Sequence, residues 1–313
     1  MSDELPADLR PVVDFFGLPN TAVVAKDFHV VRAIRALAAL DAAPFALIFG
    51  GGTALARAHK LVQRMSEDVD FKMVLLAPTP LSRSTLQRQL ARLRERVSAT
   101  LLAAGFAFDP HDRTHTWARN EYRYNVYHLP YDASGTALRP TIQVELTYAT
   151  LRRPAVTRAV GSLIAEALGR SPEVSAIPCV SVTETAAEKL VGLTRRMAME
   201  LAGLSRNPDP TLVRHFYDLH LIQAHCDRAE VVALARDIAA ADAADHDNQH
   251  PAYQADMRGE TRKVMAAITR DPVYRARYNA FMENMVHGQR PDFDQALGTV
   301  QALAALFCAE DEG

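Results

Sequence analysis

Three consecutive glycines, Gly50 to Gly52, end a short apolar run, Phe45-Ala-Leu-Ile-Phe49, and that junction limits what this chain can become. Glycine disfavours helix interiors, so the run reads as a buried strand that delivers the chain into a tight turn. Thr53 can cap a helix over residues 54–61 behind the turn. Thirteen residues past Thr53 begins Ser66-Glu67-Asp68-Val69-Asp70, which opens a second strand over residues 69–76. Residues two apart on a strand face the same side, so Asp68 and Asp70 can present both carboxylates to one point. Two hard oxygen donors suit Mg²⁺ or Mn²⁺, with phosphate and water completing the shell. The glycines let backbone N–H groups approach a phosphate, and a helix N-terminus behind them favours its charge. Each half alone has an ordinary explanation, a solvated strand edge for D-x-D and a plain turn for the glycines. Their combined order points to a triphosphate-metal site.

The 313 residues carry 35 Lys and Arg against 37 Asp and Glu, a formal charge of −2, with 49% hydrophobic and 23% charged residues. This is globular composition; it excludes a disordered tail, a collagen-like chain and a uniformly basic nucleic-acid coat. Any nucleic-acid contact must therefore use local basic patches. The length suits about two domains. Residues 23–40 have helical periodicity. After Pro78 and Pro80, residues 82–104 form an Arg-rich helix with Leu86, Leu90, Leu93, Val97 and Leu101 on one side. Between residues 106 and 160 the pattern turns to β, with alternation over 117–131 and again over 141–148. From Ser181 onward nearly everything is helical: Ser181…Glu184 and Thr185…Glu188 have capping-box spacing, and Asp209-Pro210 marks a helix start. Residues 241–256 read as a polar, acidic loop. The expected organisation is an α/β domain over residues 1–178, with a helical lead-in over 1–44, then a helical domain over 179–313. Cys179, Cys226 and Cys308 are odd in number and form no C-x-x-C pair, so they define no disulfide framework. The acidic start has no signal-peptide run, and no stretch reaches the roughly 18 apolar residues that span a bilayer. A cytoplasmic protein with no membrane partner is expected.

The segment GGTALARAHKLVQRMSEDVDF, residues 51–71, resembles the signature of the AbiEii-type nucleotidyltransferase toxins of type IV toxin–antitoxin systems, within the DNA polymerase β-like superfamily. The elements of that pattern are Gly51, Gly52, Thr53, Arg64, Ser66, Asp68 and Asp70. Looser likeness runs over residues 45–225 and includes Glu145, Lys189 in ETAAEKL and Asp218 in RHFYDL. The resemblance implies a polymerase β-like core with a mixed sheet carrying the metal carboxylates, followed by helices. It also implies transfer of a nucleoside monophosphate from an NTP to an RNA 3′ end, with the tRNA acceptor end as the expected acceptor, pyrophosphate leaving and a cognate antitoxin as partner. Asp68, Asp70 and Glu145 would hold metal; Gly51, Gly52, Thr53, Arg64, Ser66 and Lys189 would hold the nucleotide; Lys189 and Asp218 would join the aspartates as catalytic groups. Two ions about 3.5–4 Å apart make chemical sense for such a transfer.

Several residues keep two readings. Glu145, on the face of Gln143 and opposite Ile142, Val144 and Leu146, is a third metal carboxylate or an exposed strand glutamate; the resemblance favours the metal. Lys189 and Arg196 lie at the edge of a helical stripe of Ala186, Leu190, Leu193, Met197 and Leu201, where a stem can follow the core and the head can reach a phosphate or only solvent. Asp218 lies one turn after Arg214, as a salt bridge or an active-site carboxylate. Ser66 contacts a phosphate or caps a turn. Arg83, Arg88, Arg92 and Arg96 form an RNA-binding face or a solvated one. A continuous strand over residues 117–127 would put Arg119, Arg123 and Tyr127 on one side and Tyr122, Tyr124 and His128 on the other, more in the manner of sheet packing than of base stacking. Asp109 and Asp132 sit in turn contexts, His111, Asp112 and His115 are too loosely spaced for zinc, residues 246–250 read as polar loop, and His59 reads as helix packing. The competing functions are nucleotidylation of a protein hydroxyl or a small molecule, a non-catalytic nucleotide-binding module, and a D-x-D glycosyltransferase, which leaves the Gly-Gly-Thr turn unexplained.

Overall fold

The computed structural model describes residues 4–76, 80–132, 138–205, 208–245 and 250–310; Pro78, and residues 246–249 of the expected polar loop, lie outside them. The chain forms two compact units, Met1–Val180 and Ser181–Gly313.

The first unit opens with α1 (Arg10–Phe16) and α2 (Thr21–Ala38), the latter capped by the Asn20 side chain. β1 (Phe45–Gly50), α3 (Gly51–Arg57) and β2 (Asp68–Leu75) follow, then α4 (Arg83–Ala103), whose N-cap is Ser82. The remaining elements are β3 (Thr116–Arg119), β4 (Tyr124–Pro130), β5 (Thr141–Tyr148), β6 (Val156–Val160), α5 (Leu163–Ala167) and β7 (Val174–Cys179). The strands make one sheet in the order β3-β4-β5-β2-β1-β7-β6. β2 pairs parallel with β5 and β1 parallel with β7, and the other neighbours are antiparallel, so the sheet is mixed as expected. Its core face carries Phe45, Leu47, Phe49, Val69, Phe71, Met73, Ile142, Val144 and Leu146. Val30, Ile34 and Leu37 of α2, and Leu86, Leu90, Leu93, Val97 and Leu101 of α4, pack against that face.

The apparent single strand over residues 117–127 is a hairpin. Asn120, Glu121 and Tyr122 all have left-handed φ values, of 51°, 55° and 67°, and reverse the chain between β3 and β4. Two-residue alternation therefore restarts at Tyr124, and the pairing of faces read from a continuous strand fails. β7 was not anticipated: Pro178 breaks its pattern, and it meets β1 at the single register pair Phe49–Cys179.

Asp27 is buried in α2, where Arg57 approaches its carboxylate at 3.1 Å and the Leu163 N–H donates to it at 2.6 Å. Burial pushes this carboxyl up, and Arg57 and the N–H oppose that push. Removing one partner leaves a buried guanidinium short of its counter-charge, so Asp27→Ala should lower unfolding stability by about 3–5 kcal/mol, read from the denaturant midpoint. His29, also in α2, has its pKa pushed down to about 4 by burial and by Arg32, and its Nδ1 is buried without a hydrogen-bond partner. The folded ring is thus neutral while the unfolded one takes a proton near its ordinary pKa of 6.5. Its contribution is fully present above that value and is lost as pH falls towards about 4. His29→Gln should flatten the fall in the urea midpoint over that window.

The second unit is helical: α6 (Val182–Leu201), α7 (Arg214–Ile222), α8 (Arg228–Asp245), α9 (Pro251–Ala255), α10 (Met257–Arg270), α11 (Pro272–Met285) and α12 (Phe293–Cys308). Ser181 caps α6 through the Glu184 N–H, whereas Thr185 lies inside the helix rather than at a second start. Asp209 caps a 3-10 turn over Pro210–Val213 that leads into α7. The stripe on α6 holds at Ala186, Leu190, Leu193 and Met197, but Leu201 is 48% exposed. The expected loop over residues 241–256 is instead helical at both ends, in α8 and α9. Phe216, Tyr278 and Phe293 cluster with ring centroids 5.7–6.5 Å apart at the centre of this unit. All three cysteines are free, and among the described residues no helix is long and apolar enough to cross a membrane.

Candidate active site

β1 and β2 run antiparallel with Gly50 opposite Asp70, so the strand that ends in the glycines and the strand that begins with the aspartates share one end of the sheet. On β2 the core takes Val69, Phe71 and Met73, which leaves Asp68, Asp70 and Lys72 half-buried on the other face. Parallel pairing with β5 sets Gln143 beside Asp68 and Glu145 beside Asp70. Opposite residues on neighbouring strands share a face about 4.8 Å apart, so all three carboxylates lie on one surface.

The turn is built for close approach. Gly51 has φ +70°, and a Cβ there would overlap the Asp70 carboxylate; a Cβ on Gly52 would overlap the Arg64 guanidinium, with the Ser66 hydroxyl beside it. Asp70, Arg64 and Ser66 thus converge on the glycine backbone. Arg64 is buried and donates to the Met65 carbonyl at 3.0 Å. Thr53 differs from its expected role. The helix starts at Gly51 with Gly50 as N-cap, so Thr53 sits within the first turn, buried, and its hydroxyl donates to the Asp68 carbonyl. That bond ties α3 to the first residue of β2.

Side chains from α2, β4, β5 and the segment before β5 hold these carboxylates and Glu67. Arg139 donates to Asp68 Oδ1 at 2.7 Å and reaches Glu67 Oε2 at 3.3 Å and Gln143 Oε1 at 3.2 Å. Lys26, fully buried in α2, ion-pairs with Glu67 and donates to the Arg139 carbonyl at 2.9 Å. Burial alone would raise the Glu67 pKa, but Lys26 and Arg139 outweigh it and hold the carboxyl below its ordinary value. Glu145 accepts from the Tyr124 hydroxyl at 2.6 Å and from the Gln143 amide. Burial, and then Glu145, push the Tyr124 phenol well up, so it stays a proton-bearing donor. Among the described residues no group of three or more His, Cys, Asp and Glu side chains is gathered into a ready metal cage. The donor chemistry still fits a hard divalent cation: the oxygens are carboxylate, Asp70 and Glu145 are register neighbours, and Asp68 already carries a cationic group in Arg139.

In the helical unit, Lys189 Nζ lies 2.7 Å from Asp218 Oδ2, with side chains 7% and 0% exposed. Of the two readings of Asp218, this buried contact with Lys189 fits the second, while Arg214 turns elsewhere. Arg214 and Arg196 both reach Asp209 Oδ2, at 3.0 and 3.1 Å. Arg196 is therefore part of a surface ion network.

The other sequence candidates sort as follows. Arg96 donates to the carbonyls of Asp41 and Ala43, both at 2.8 Å, and so braces a loop rather than extending the arginine face. His59 bonds the Val180 carbonyl at 3.0 Å in a packing role. Asp109 and Asp112 accept from the turn amides of His111 and Thr114, and His115 accepts from the Asp109 N–H. Lys26, Arg139 and Tyr124 were missed as partners of the site. Arg139 belongs to no regular element, and helical periodicity over residues 23–40 does not single out Lys26.

A mixed-sheet α/β domain with a glycine turn against paired strand carboxylates has the architecture of a nucleotidyltransferase. The family model for the nucleotidyl transferase AbiEii toxin, type IV TA system, matches residues 33–299, and the chain belongs to that family of toxins. The match extends beyond residues 45–225 at both ends. Among solved structures, MenT4, a nucleotidyltransferase toxin from Mycobacterium tuberculosis H37Rv, aligns with 98% of this chain and 91% of its own at 17% identity and a TM-score of 0.53. JHP933 from Helicobacter pylori aligns with 91% of this chain and 90% of its own at 14% identity and a TM-score of 0.42. No curated protein sequence matches the chain.

Proposed function

We propose that this toxin transfers a nucleoside monophosphate from an NTP to the 3′ end of an RNA, with the tRNA acceptor end as acceptor, and that Asp68, Asp70 and Glu145 form its metal-binding face. The strongest support is the position of Asp70, which meets the Gly51 backbone on one side and is the register neighbour of Glu145 on the other. A triphosphate seated at the turn and a cation seated on the carboxylates would then share an edge. A divalent ion bound there supplies Lewis acidity towards the attacking hydroxyl and the departing pyrophosphate. Gly51 and Gly52 would offer backbone N–H groups to the phosphates, with the Ser66 hydroxyl and the Arg64 guanidinium close against Gly52. Thr53 acts through position, holding Asp68 against α3. Arg139, which bridges Asp68, Glu67 and Gln143, would hold the Asp68 carboxylate in place at the edge of the site and supply positive charge there. Within the helical unit, Asp218 holds Lys189, the lysine that the family resemblance implies for nucleotide binding.

Incubation with each α-labelled NTP, Mg²⁺ or Mn²⁺ and total tRNA tests the reading. Label on the RNA 3′ terminus from one or two NTPs is expected. Label on a protein hydroxyl would move the acceptor, and NTP binding without any transfer would make the chain a binding module. Neutralisation by a cognate antitoxin in the same assay is the expected partner effect.

A further inference from the structure

On the first unit, away from the glycine turn, α4 and the β3–β4 hairpin enclose a groove of about 1010 Å³. Its walls carry Arg94, Arg113 and Arg119 together with Trp117, Tyr122 and His111. Two carboxylates also line it, Glu95 and Glu121, and Glu121 is already ion-paired with Arg83. Arg113 and Arg119 are exposed.

The hairpin end of this groove is strained. Three successive L-residues, Asn120, Glu121 and Tyr122, occupy the left-handed region, which their Cβ atoms disfavour. The Arg83–Glu121 ion pair and a 2.6 Å hydrogen bond from the Asn125 amide to the Tyr122 carbonyl hold them there. The turn brings Tyr122 under Arg94, at 5.9 Å from ring centroid to guanidinium carbon. Such strain in an exposed hairpin points to a task for the groove rather than to stability.

The groove also touches the carboxylate face. Arg119 lies 4.4 Å over the Tyr124 ring, Trp117 packs on the same ring at 5.4 Å, and the Tyr124 hydroxyl donates to Glu145. Arginines beside aromatic faces fit a strand of nucleic acid, with phosphates on the guanidinium groups and unstacked bases on the rings.

We propose that this groove seats the unpaired part of the RNA acceptor, with Arg94, Arg113 and Arg119 on its phosphates and Trp117 and Tyr122 against its bases, so that the 3′ end is led past Tyr124 to Glu145. The proposal rests on RNA being the acceptor. Charge complementarity selects the occupant: with Glu121 paired to Arg83, the arginines Arg94, Arg113 and Arg119 stand against Glu95, which leaves the groove a surplus of positive charge for a polyanion.

Trp117 is the sole tryptophan of the chain, so its fluorescence reports the groove directly. Titrating the full-length protein with total tRNA should quench that emission saturably. In filter binding, Arg113→Glu should weaken tRNA at least about tenfold and reduce the salt slope by about one to two, with Arg113→Gln intermediate. NTP affinity should be retained, and the loss in tRNA labelling should appear as a raised KM for tRNA. If tRNA binds and is labelled with no change in Trp117 emission and with Arg113→Glu within about twofold of wild type, the groove is overturned and the acceptor reading stands. If the wild type neither binds nor labels RNA, both are overturned.

Discussion

Asp70→Asn is expected to abolish NMP transfer, with a fall of about three orders of magnitude or more, while the protein stays folded. Losing one metal carboxylate removes several kcal/mol of stabilisation of the charge that builds on the attacking oxygen and on the pyrophosphate, and about 4 kcal/mol corresponds to three decades in rate. The asparagine keeps the shape that fits against Gly51, so packing is preserved and the charge alone is lost. Asp68→Asn should act similarly, with one difference. It removes the negative charge that Arg139 faces at 2.7 Å, so that variant should also be slightly less stable than Asp70→Asn. Radiolabel transfer together with thermal unfolding of both variants checks the pair; near-wild-type transfer in Asp70→Asn would remove the carboxylates from the chemistry.

The second large effect is expected at the turn. Gly51→Ala forces a Cβ into the space of the Asp70 carboxylate and places an alanine at φ +70°. The backbone cost is about 1–2 kcal/mol. The displaced carboxylate matters more, and transfer should fall by about 100-fold, the scale seen when one preorganised charge-stabilising group is lost. Gly169→Ala is the matched control, because Gly169 has φ +60° and nothing within 4 Å of the added Cβ. It should show the same kind of backbone penalty and keep its activity. Equal losses of activity in the two variants would mean that general destabilisation explains both.

The glycine turn, its two strands and the side on which Asp68, Asp70 and Glu145 lie were legible because each depends on neighbours in sequence. Period-two alternation places Asp68, Asp70 and Glu145 without knowledge of any distant contact. The features that were misread depend on long-range pairing or on conformations with no residue signature. The reversal at Asn120, Glu121 and Tyr122 contains neither glycine nor proline, and Asn120 alone is a weak turn signal. Helix spacing offers Asp218 only Arg214 as a partner, and its 2.7 Å contact with Lys189, 29 positions away on another helix, is one that only the family resemblance suggests. Thr53 carries the composition of a cap, but the helix begins at Gly51, three residues before the expected start, with Gly50 as its N-cap. Arg139 reaches Asp68 from 71 positions downstream, a contact that no local pattern could announce.

The most direct test of the account is transfer from an α-labelled NTP to tRNA in the presence of Mg²⁺, comparing wild type with Asp68→Asn, Asp70→Asn and Glu145→Gln. The account predicts label on the RNA 3′ end with wild type, loss of it on chelation, and little or none with each of the three variants while NTP-independent folding is kept. RNA labelling that survives in all three variants would contradict it.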